Sequence, residues 1–271
     1  MKKKKIKLFL GGVINLSNAQ NLNCLALAQY LNKERFKVYA LEIYSGSLES
    51  QKKQITQIKT FNCFYPAKIS MYLGFLWGIF NCDIAYLPKL ELSKWNRFWL
   101  NLLHKKSFTT IEGIMDETAL KDTINSIGSK TSYLNSRKKF DKIFSITHYM
   151  KKYNYEKIGL KTEDKVLYLG VNYKTLKITT TRISLHNVIL IGNDLIRKGV
   201  HEYLKLASNF PETLFFIAGS GNGKIDLDAT IKSQNLKNVI YKGFLNSTEL
   251  INLLKECDLH VLPSRSEGFP K

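Results

Sequence analysis

Residues 187–223 read NVILIGNDLIRKGVHEYLKLASNFPETLFFIAGSGNG, and this stretch decides the fold. A short apolar run, Asn187–Ile191, passes through a glycine-containing turn into a run with helical spacing, Val200–Asn209. A second apolar run, Thr213–Ala218, ends in a glycine-rich turn. Strands that alternate with amphipathic helices predict a parallel sheet in an α/β protein.

The same alternation continues toward the C-terminus and then stops. The predicted elements there are a helix over Asp226–Gln234, a strand over Asn238–Lys242, a helix over Ser247–Cys257 and a strand over Leu259–Leu262. The last strand continues into PSRSEGFPK, and no helix follows that could cover it. We therefore expect the second domain to be truncated at Lys271, or to be completed by something else.

The earlier part of the chain alternates in the same way, and Gly11-Gly12 is expected to end its first strand. The predicted strands are Lys5–Leu10, Lys37–Ile43, Asp83–Leu87, Phe108–Ile111, Lys142–Ser145 and Lys165–Leu169. The predicted helices are Gln20–Leu31, Lys68–Phe80, Ser93–His104 and Tyr149–Ile158. Residues 173–186 have no clear period and are interpreted as a linker. The chain should thus hold two Rossmann-like domains, over residues 1–172 and 187–271.

The composition excludes several classes of protein. The 271-residue chain is 44% hydrophobic, which supplies a core and excludes disorder and collagen-like repeats. Four scattered cysteines argue against a disulfide framework or a zinc module, and together with the lack of a secretory signal they favour a cytoplasmic location. The longest apolar stretch, Ile69–Phe80, is too short to span a bilayer. Its aromatic part, Phe75–Phe80, is interpreted as core rather than as an acceptor site.

The charge of the chain is strongly positive and uneven. The net charge is +19, and residues 1–170 carry +15 of it. Such a field favours an anionic partner, unless the lysines only solvate the surface. Nucleic acid is not expected, because no zinc finger, RNP-like aromatic pattern or helix-turn-helix is present. An anionic inner-leaflet surface is the other candidate, since Trp77, Trp95 and Trp99 lie among apolar residues and lysines, as in interfacial segments. A buried helix would contain the same residues.

Two glycine-containing turns follow predicted strands and precede predicted helices. In the first, Gly192 to Gly199, Arg197 and Lys198 would add two cations to the N–H groups of a helix N-terminus, which favours a diphosphate ligand. The second, Gly219-Ser-Gly221-Asn-Gly223, has the spacing GxGxG and not GxGxxG, which a tight turn alone would explain. Either turn could instead be an ordinary connection.

A third candidate lies after the last predicted strand, where Glu267 is followed by Gly268 and Phe269. A carboxylate there could accept hydrogen bonds from sugar hydroxyls while nearby backbone N–H groups meet a phosphate. An isolated glutamate on a loop is more often only solvated. The combination of this segment with the two turns is therefore what makes it informative.

Taken in order, the strand–Gly–x5–Lys-Gly–helix segment, the IAGSG turn, NVIYKGF and CDLHVLPSRSEGFP resemble a known family. It is family four of the retaining glycosyltransferases, with the glycosyltransferase group one domain and the GT-B fold. FDKIFSITHYMKKYNYEKIGL and GGVINLSNAQNLNCLALAQYL resemble earlier parts of the same family. The resemblance covers nearly the whole chain and is most specific over Asn187–Lys271. It implies two Rossmann-like domains that face a cleft, with the second one incomplete.

The resemblance also implies roles for individual residues. Lys198, with Arg197 beside it, would bind the donor diphosphate, and Glu267 would lie near the donor sugar. Glu112 stands where many members have a histidine near the reacting sugar, so it would orient an acceptor hydroxyl, or else it is an ordinary loop residue. Asn193 stands where many members have an arginine. The remaining residues assigned to donor binding are Gly11, Gly12, Gly192, Gly219, Gly221, Gly243, Phe244, Leu245, Gly268 and Phe269.

The function implied is transfer of a hexosyl group from a UDP- or GDP-sugar to a glycan or lipid-linked acceptor, with retention at the anomeric carbon. Cell-surface polysaccharide or lipopolysaccharide biosynthesis would be the setting, on the cytoplasmic side and with peripheral membrane association as an option. No metal or other cofactor is expected, because fixed cations and helix N–H groups would stabilise the leaving diphosphate. The second glutamate of the family motif would fall beyond Lys271, so a non-catalytic binding module remains an alternative. An epimerase or phosphorylase of the same architecture is the other.

Overall fold

The structure, a computed structural model, describes residues 4–16, 19–44, 58–88, 94–170, 184–221, 225–264 and 267. The chain divides into two compact units between Val171 and Asn172, and each unit has its own parallel sheet. Most of the predicted linker, residues 173–186, lies outside the described residues, as do Gly268 and Phe269.

The first unit is built on a six-stranded parallel sheet. Its strands are β1 (Ile6–Val13), β2 (Phe36–Ile43), β3 (Ile58–Cys63), β4 (Ile84–Tyr86), β5 (Lys106–Ile111) and β6 (Lys142–Ser145). Its helices are α1 (Ala19–Tyr30), α2 (Ala67–Asn81), α3 (Lys94–Leu102), α4 (Glu117–Ile127), α5 (Lys130–Arg137) and α6 (His148–Ile158). The strand order β3-β2-β1-β4-β5-β6 is that of a doubly wound fold, with the reversal of direction between β1 and β4.

Helices cover both faces of this sheet, which explains why its central strand is apolar throughout. Successive side chains of β1 point to opposite faces. Phe9 belongs to the cluster that contains Phe75 and Ile79 of α2, whereas Leu10 belongs to the cluster that contains Cys24 of α1. The central strand is therefore buried from both sides.

Two predictions for the first unit are wrong. Strand β1 does not end before Gly11-Gly12 but continues to Val13. A side chain on Gly12 would lie 2.7 Å from Sγ of Cys24 in α1, so glycine here permits close packing inside a strand rather than a loop. Residues 165–169 do not form a strand, although the Leu167 N–H donates to the Ser145 carbonyl at 3.0 Å. That single hydrogen bond does not extend into a ladder.

Three elements of the first unit were not predicted, and each has a weak apolar pattern. Strand β3 lies at the edge of the sheet and follows a long polar stretch. Helix α4 has no buried residue, and helix α5 buries only Tyr133 and Ser136. A periodic pattern of apolar residues indicates an element clearly only when one face of that element is buried. These three elements are therefore difficult to predict from the sequence.

The second unit follows its predicted elements closely. Its strands are β7 (Asn187–Ile191), β8 (Leu214–Ala218), β9 (Val239–Gly243) and β10 (Leu259–His260), and its helices are α7 (Val200–Asn209), α8 (Leu227–Ser233) and α9 (Ser247–Glu256). The described strands form a parallel sheet in the order β10-β7-β8-β9. Strand β10 is shorter than predicted. Both units confirm the predicted α/β class with parallel sheets.

Candidate functional site

The topology of the second sheet brings three predicted site residues together. The chain winds from β7 to β8 to β9 in one direction and then returns to place β10 on the other side of β7. Ligands of open parallel sheets bind beyond the carboxyl ends of the strands at such a reversal. Arg197 and Lys198 follow β7, and Glu267 follows β10, so they lie beyond the ends of the two strands that flank the reversal.

These three side chains form one ion-pair cluster. Lys198 Nζ lies 2.5 Å from Glu267 Oε1, and Arg197 Nη1 lies 3.3 Å from the same oxygen. The side chains of Lys198 and Glu267 are only 16% and 20% exposed, whereas that of Arg197 is 46% exposed. Lys198 and Arg197 share the Glu267 carboxylate, and both side chains are cationic donors suited to phosphate oxygens.

The stem of Lys198 is positioned by Gly192, the residue directly after β7. A side chain on Gly192 would lie 2.6 Å from Lys198 Cγ, so the lysine stem lies directly over this glycine. The turn is closed by Asp194, whose carbonyl accepts from the Lys198 N–H at 3.0 Å and whose Oδ1 accepts from the Arg197 N–H at 3.4 Å. Asp194 is a part of the site that the sequence did not reveal.

Gly199 is the N-cap of α7 and has a left-handed backbone, with φ of 81°. A side chain there would overlap the carbonyl group of Pro263, which follows β10. The glycine therefore lets the start of α7 approach the segment that leads to Glu267. The sequence prediction used only Lys198 of the Lys-Gly pair and missed this role of Gly199.

The glycine-rich turn after β8 joins the ends of three strands. The Gly219 N–H donates to the Gly243 carbonyl at 2.7 Å, and the Gly219 carbonyl accepts from Tyr241 Oη at 2.9 Å. The Gly192 N–H donates to Ala218 at 2.9 Å. The N–H groups of Gly192 and Gly219 thus already have acceptors within the protein. Donor contacts by these glycines and by Gly221 stay predictions.

The other residues assigned to donor binding differ in their exposure to solvent. Asn193 is exposed, Phe244 is 69% exposed, and Leu245 is half-buried in the cluster beneath α9. Gly268 and Phe269 lie outside the described residues. Exposure of Phe244 at the end of β9 leaves its ring available for stacking on a base.

In the first unit, Glu112 lies directly after β5 and is held at one oxygen by a hydrogen-bond network. Its Oε1 accepts from Asn23 Nδ2 at 2.8 Å and from Thr110 Oγ1 at 3.0 Å, while Tyr86 Oη lies 3.4 Å from this oxygen and hydrogen-bonds Thr110 Oγ1 at 2.7 Å. Burial raises the pKa of Tyr86, so its hydroxyl remains a donor or acceptor and does not ionise. A carboxylate held in this way is unlike an ordinary solvated loop residue.

The predicted role of Gly11 and Gly12 as a loop is corrected by the fold, because both are buried within β1. A side chain on Gly11 would lie 2.6 Å from Cδ2 of Leu87, which follows β4. The turn beyond β1 is fixed by Asn21, whose Oδ1 accepts from the Val13 N–H at 3.0 Å. The two glycines therefore serve packing, and any contact with a donor remains a prediction.

Replacement of Asn23 by alanine should lower the free energy of unfolding of the first unit by about 1.5–3 kcal/mol, the range for hydrogen bonds to charged groups. Asn23→Asp should cost more, because it places a second carboxylate beside Glu112. The measurement is urea unfolding followed by tryptophan fluorescence, since Trp77, Trp95 and Trp99 are the tryptophans of the chain and all lie in this unit. Equal stability of Asn23→Asp and the unmodified chain would contradict the hydrogen bond.

A second expectation concerns His260, at the end of β10. Partial desolvation lowers the pKa of the His260 ring below its ordinary value of 6.5, although the residue is still exposed, and the nearby positive charge of Lys198 lowers it further. Titration of the ring by NMR should give a midpoint below 6.5, and Lys198→Ala should move this midpoint upward. The matched variant Lys205→Ala, on the exposed side of α7, should leave it in place. If the titration midpoint of His260 is the same in Lys198→Ala as in the unmodified chain, the Lys198 ammonium does not lie near this ring.

The described residues contain neither a metal-binding cluster nor a helix that could span a membrane. Within them, no group of three or more His, Cys, Asp or Glu is arranged to hold a metal ion. The sequence does contain one Asp-x-Asp triplet, Asp226-Leu227-Asp228. Its first residue caps α8, because Asp226 Oδ1 accepts from the Ala229 N–H at 3.0 Å. No helix of the described part of the chain is both long and apolar enough to cross a bilayer. The four cysteines are all described, and none forms a disulfide.

The two units, each with a parallel sheet between helices, define a protein of the doubly wound α/β class. Residues 184–271 match the family model described as "Glycosyl transferases group 1". HepE of Anabaena, solved in complex with UDP, is similar with a TM-score of 0.67 and 15% identity, over 98% of this chain and 76% of that chain. WaaG, described as a glycosyltransferase involved in lipopolysaccharide biosynthesis, has a TM-score of 0.61 and 11% identity, over 96% and 75%.

A curated relative is the N,N'-diacetylbacillosaminyl-diphospho-undecaprenol alpha-1,3-N-acetylgalactosaminyltransferase of Campylobacter jejuni. It is 29% identical over 175 residues, which are 64% of this chain and 42% of the relative. The match therefore spans less than half of the length of that relative. The family match is thus confined to residues 184–271, and the likeness to HepE and WaaG shows that the fold is of the GT-B type.

Proposed function

We propose that the protein transfers a sugar from a UDP- or GDP-sugar to a glycan or lipid-linked acceptor during synthesis of a cell-surface polysaccharide or lipopolysaccharide. The observation that carries the proposal is the cluster of Lys198, Arg197 and Glu267 at the strand reversal of the second unit. Two relatives support the choice of substrates. HepE was solved with UDP, and the Campylobacter enzyme is named for a diphospho-undecaprenol acceptor.

The chemistry proposed for this cluster is stabilisation of the leaving group. When the bond from the anomeric carbon to the diphosphate breaks, negative charge grows on the phosphate oxygens. Lys198 and Arg197 lie together after β7, so once they exchange Glu267 for the phosphate they can oppose this charge, and no divalent metal is needed for that step. As the phosphate takes over the cations, the Glu267 carboxylate is released to accept hydrogen bonds from hydroxyls of the donor sugar.

We assign Glu112 to the acceptor. Its Oε1 is oriented by Asn23, Thr110 and Tyr86, which gives the carboxylate a fixed direction toward an incoming hydroxyl. Retention at the anomeric carbon follows from the resemblance to the retaining family, and its proof requires analysis of the product. A lipid-linked acceptor would bring the protein to the cytoplasmic face of a membrane as a peripheral protein.

The test is to incubate the chain with a panel of UDP- and GDP-sugars and a polyprenyl-diphosphate-linked sugar, and to measure nucleoside diphosphate release and lipid product. Release that depends on both the donor and the acceptor supports the transferase. Conversion of the donor to its epimer, without release, would establish the epimerase alternative. Saturable donor binding with no turnover would establish the binding module.

A further inference from the structure

Asn154 is a polar residue in the interior of helix α6, and it is only 1% exposed. Asparagine forms helices poorly, because its side chain competes for backbone hydrogen bonds. A buried amide also costs free energy unless its polar atoms have partners. The Asn154 side chain is therefore expected to make specific contacts outside its own helix.

Both ends of the Asn154 amide bind the backbone of one short segment. Its Oδ1 accepts from the Met115 N–H at 2.7 Å, and its Nδ2 donates to the Gly113 carbonyl at 2.9 Å. The two hydrogen bonds hold the chain on either side of Ile114. This segment comes directly after Glu112, the carboxylate that we assign to the acceptor. We refer to the two hydrogen bonds together as the Asn154 clamp.

Little else in the described part of the chain fixes the backbone of this segment. Gly113 is exposed, and a side chain built on it would have no atom within 4 Å. Glycine has more conformational freedom than any other residue, so its backbone direction is set by external contacts. Helix α4, which follows the segment, has no buried residue. The Met115 side chain is buried in the cluster that contains Ile158 and Leu160, but apolar burial is not directional.

Glu112 is therefore held from two sides. Asn23 and Thr110 bind its Oε1 and set the direction of the carboxylate. The Asn154 clamp holds the chain directly after Glu112, so it sets the position of the backbone from which the carboxylate extends. A group that binds a reacting hydroxyl must lie within about 2.6–3.2 Å of it. Misplacement by about 1 Å can lower the rate by about 100-fold.

We propose that Asn154 is a positioning residue for sugar transfer, which acts through Glu112. The inference rests on the proposed function, because it takes the Glu112 carboxylate as the group that orients the acceptor hydroxyl. A supporting role alone would make Asn154 important for stability. A positioning role makes turnover depend on Asn154 as well, and only while the Glu112 carboxylate is present.

The experiment is a double-mutant cycle, with nucleoside diphosphate release measured in the presence of the donor and the lipid-linked acceptor. Asn154→Ala should lower kcat by about 10–100-fold. The KM for the donor should stay unchanged, because Lys198 and Arg197 belong to the other unit. In a Glu112→Gln background the same substitution should change kcat by less than about threefold, since the carboxylate that it positions is already gone.

Asn96→Ala is the matched control, because Asn96 is a buried asparagine of α3 in the same unit. This substitution should lower stability and leave the kcat of the folded protein unchanged. Circular dichroism of each variant verifies that it is folded.

Asn154→Asp keeps the size of the side chain and serves as a second variant if Asn154→Ala does not fold. The introduced carboxylate can accept from the Met115 N–H but cannot donate to the Gly113 carbonyl. Protonation restores the donor, and burial raises the pKa of a carboxyl group. The kcat of this variant, relative to that of the unmodified chain, should therefore rise as the pH falls through the pKa of the introduced carboxyl.

Amide hydrogen exchange tests the Asn154 clamp without any substrate. The Met115 N–H should exchange at least about tenfold faster in Asn154→Ala than in the unmodified chain, while the amides of β1 keep their rates. Unchanged exchange of Met115 would overturn the inference, because the clamp would then be absent.

The inference is also overturned if Asn154→Ala leaves kcat within about twofold of the unmodified chain, or lowers it equally with and without the Glu112 carboxylate. A chain that transfers no sugar overturns the proposed function and this role of Asn154 together. A chain that transfers sugar with a kcat that does not depend on Asn154 overturns this inference alone.

Discussion

Lys198→Ala is expected to lower the turnover of sugar transfer by about 10²–10³-fold, the loss typical of one preorganised group that opposes charge in the transition state. The reason is the position of Lys198, which is the less exposed of the two cations and is held over Gly192 beside Glu267. A half-exposed Arg197 cannot replace it, because solvent screens charges near the surface. The measurement is the rate of nucleoside diphosphate release with donor and acceptor both present.

The control for this experiment is Lys205→Ala, which removes an exposed lysine of α7 and should leave turnover unchanged. Glu267→Gln separates the two roles of the carboxylate. It should strengthen the binding of free UDP, because the cations lose their competing partner, and yet lower turnover, because a hydrogen-bond acceptor for the sugar is lost. Turnover in Lys198→Ala within a few-fold of the unmodified chain would remove this lysine from the mechanism.

Gly219→Ala is expected to destabilise the second unit by about 3 kcal/mol or more, because overlap with neighbouring backbone is added to the cost of the backbone conformation. Gly219 has φ of 142°, and a side chain there would overlap the carbonyl oxygen of Gly192. Gly243→Ala is the matched control. Its φ is 64° and no atom lies within 4 Å of the added carbon, so it should cost only about 1–2 kcal/mol for the left-handed conformation.

The readout must separate the two units. Hydrogen exchange of the amides of β7 and β8 reports on the second unit, and tryptophan fluorescence reports on the first, since the chain has no tryptophan beyond residue 99. Faster exchange in Gly219→Ala with an unchanged fluorescence transition is the expected pattern. Equal effects of Gly219→Ala and Gly243→Ala would show that the strand ends can separate to admit a side chain.

The site in the second unit could be predicted from sequence because its residues are fixed by the ends of strands. Each strand of that unit is a short apolar run that ends at a glycine or a polar residue, so the positions of Lys198 and Glu267 follow from the order of the elements. What the sequence did not show was the role of the glycines. The ligand contacts expected of Gly192 and Gly219 stay predictions, and the sequence does not show that their N–H groups donate to neighbouring strands.

The site in the first unit is harder to predict, because the residues that surround Glu112 come from distant parts of the sequence. Glu112 was selected as a single residue, but its partners come from α1, β4 and β5, which are far apart in the chain. No local sequence pattern predicts a hydrogen bond between Asn23 and Glu112. The sequence predicts that the aromatic run Phe75–Phe80 is core, which is right for Phe75 and Ile79 but wrong for Phe80, whose side chain is 51% exposed. Hydrophobicity alone does not tell which face of a helix is covered.

The place of β1 in its sheet also affects how the chain folds as it is synthesised. β1 is synthesised before both of its neighbours in the sheet, and it pairs with β2 on one side and with β4 on the other. β4 begins only at Ile84, well after β2 ends at Ile43. At translation rates of about 5–20 residues per second, one edge of β1 therefore waits about 2–8 s for its partner. During that interval the nascent chain presents an open apolar strand, so a chaperone that binds such segments should act before Tyr86 is added.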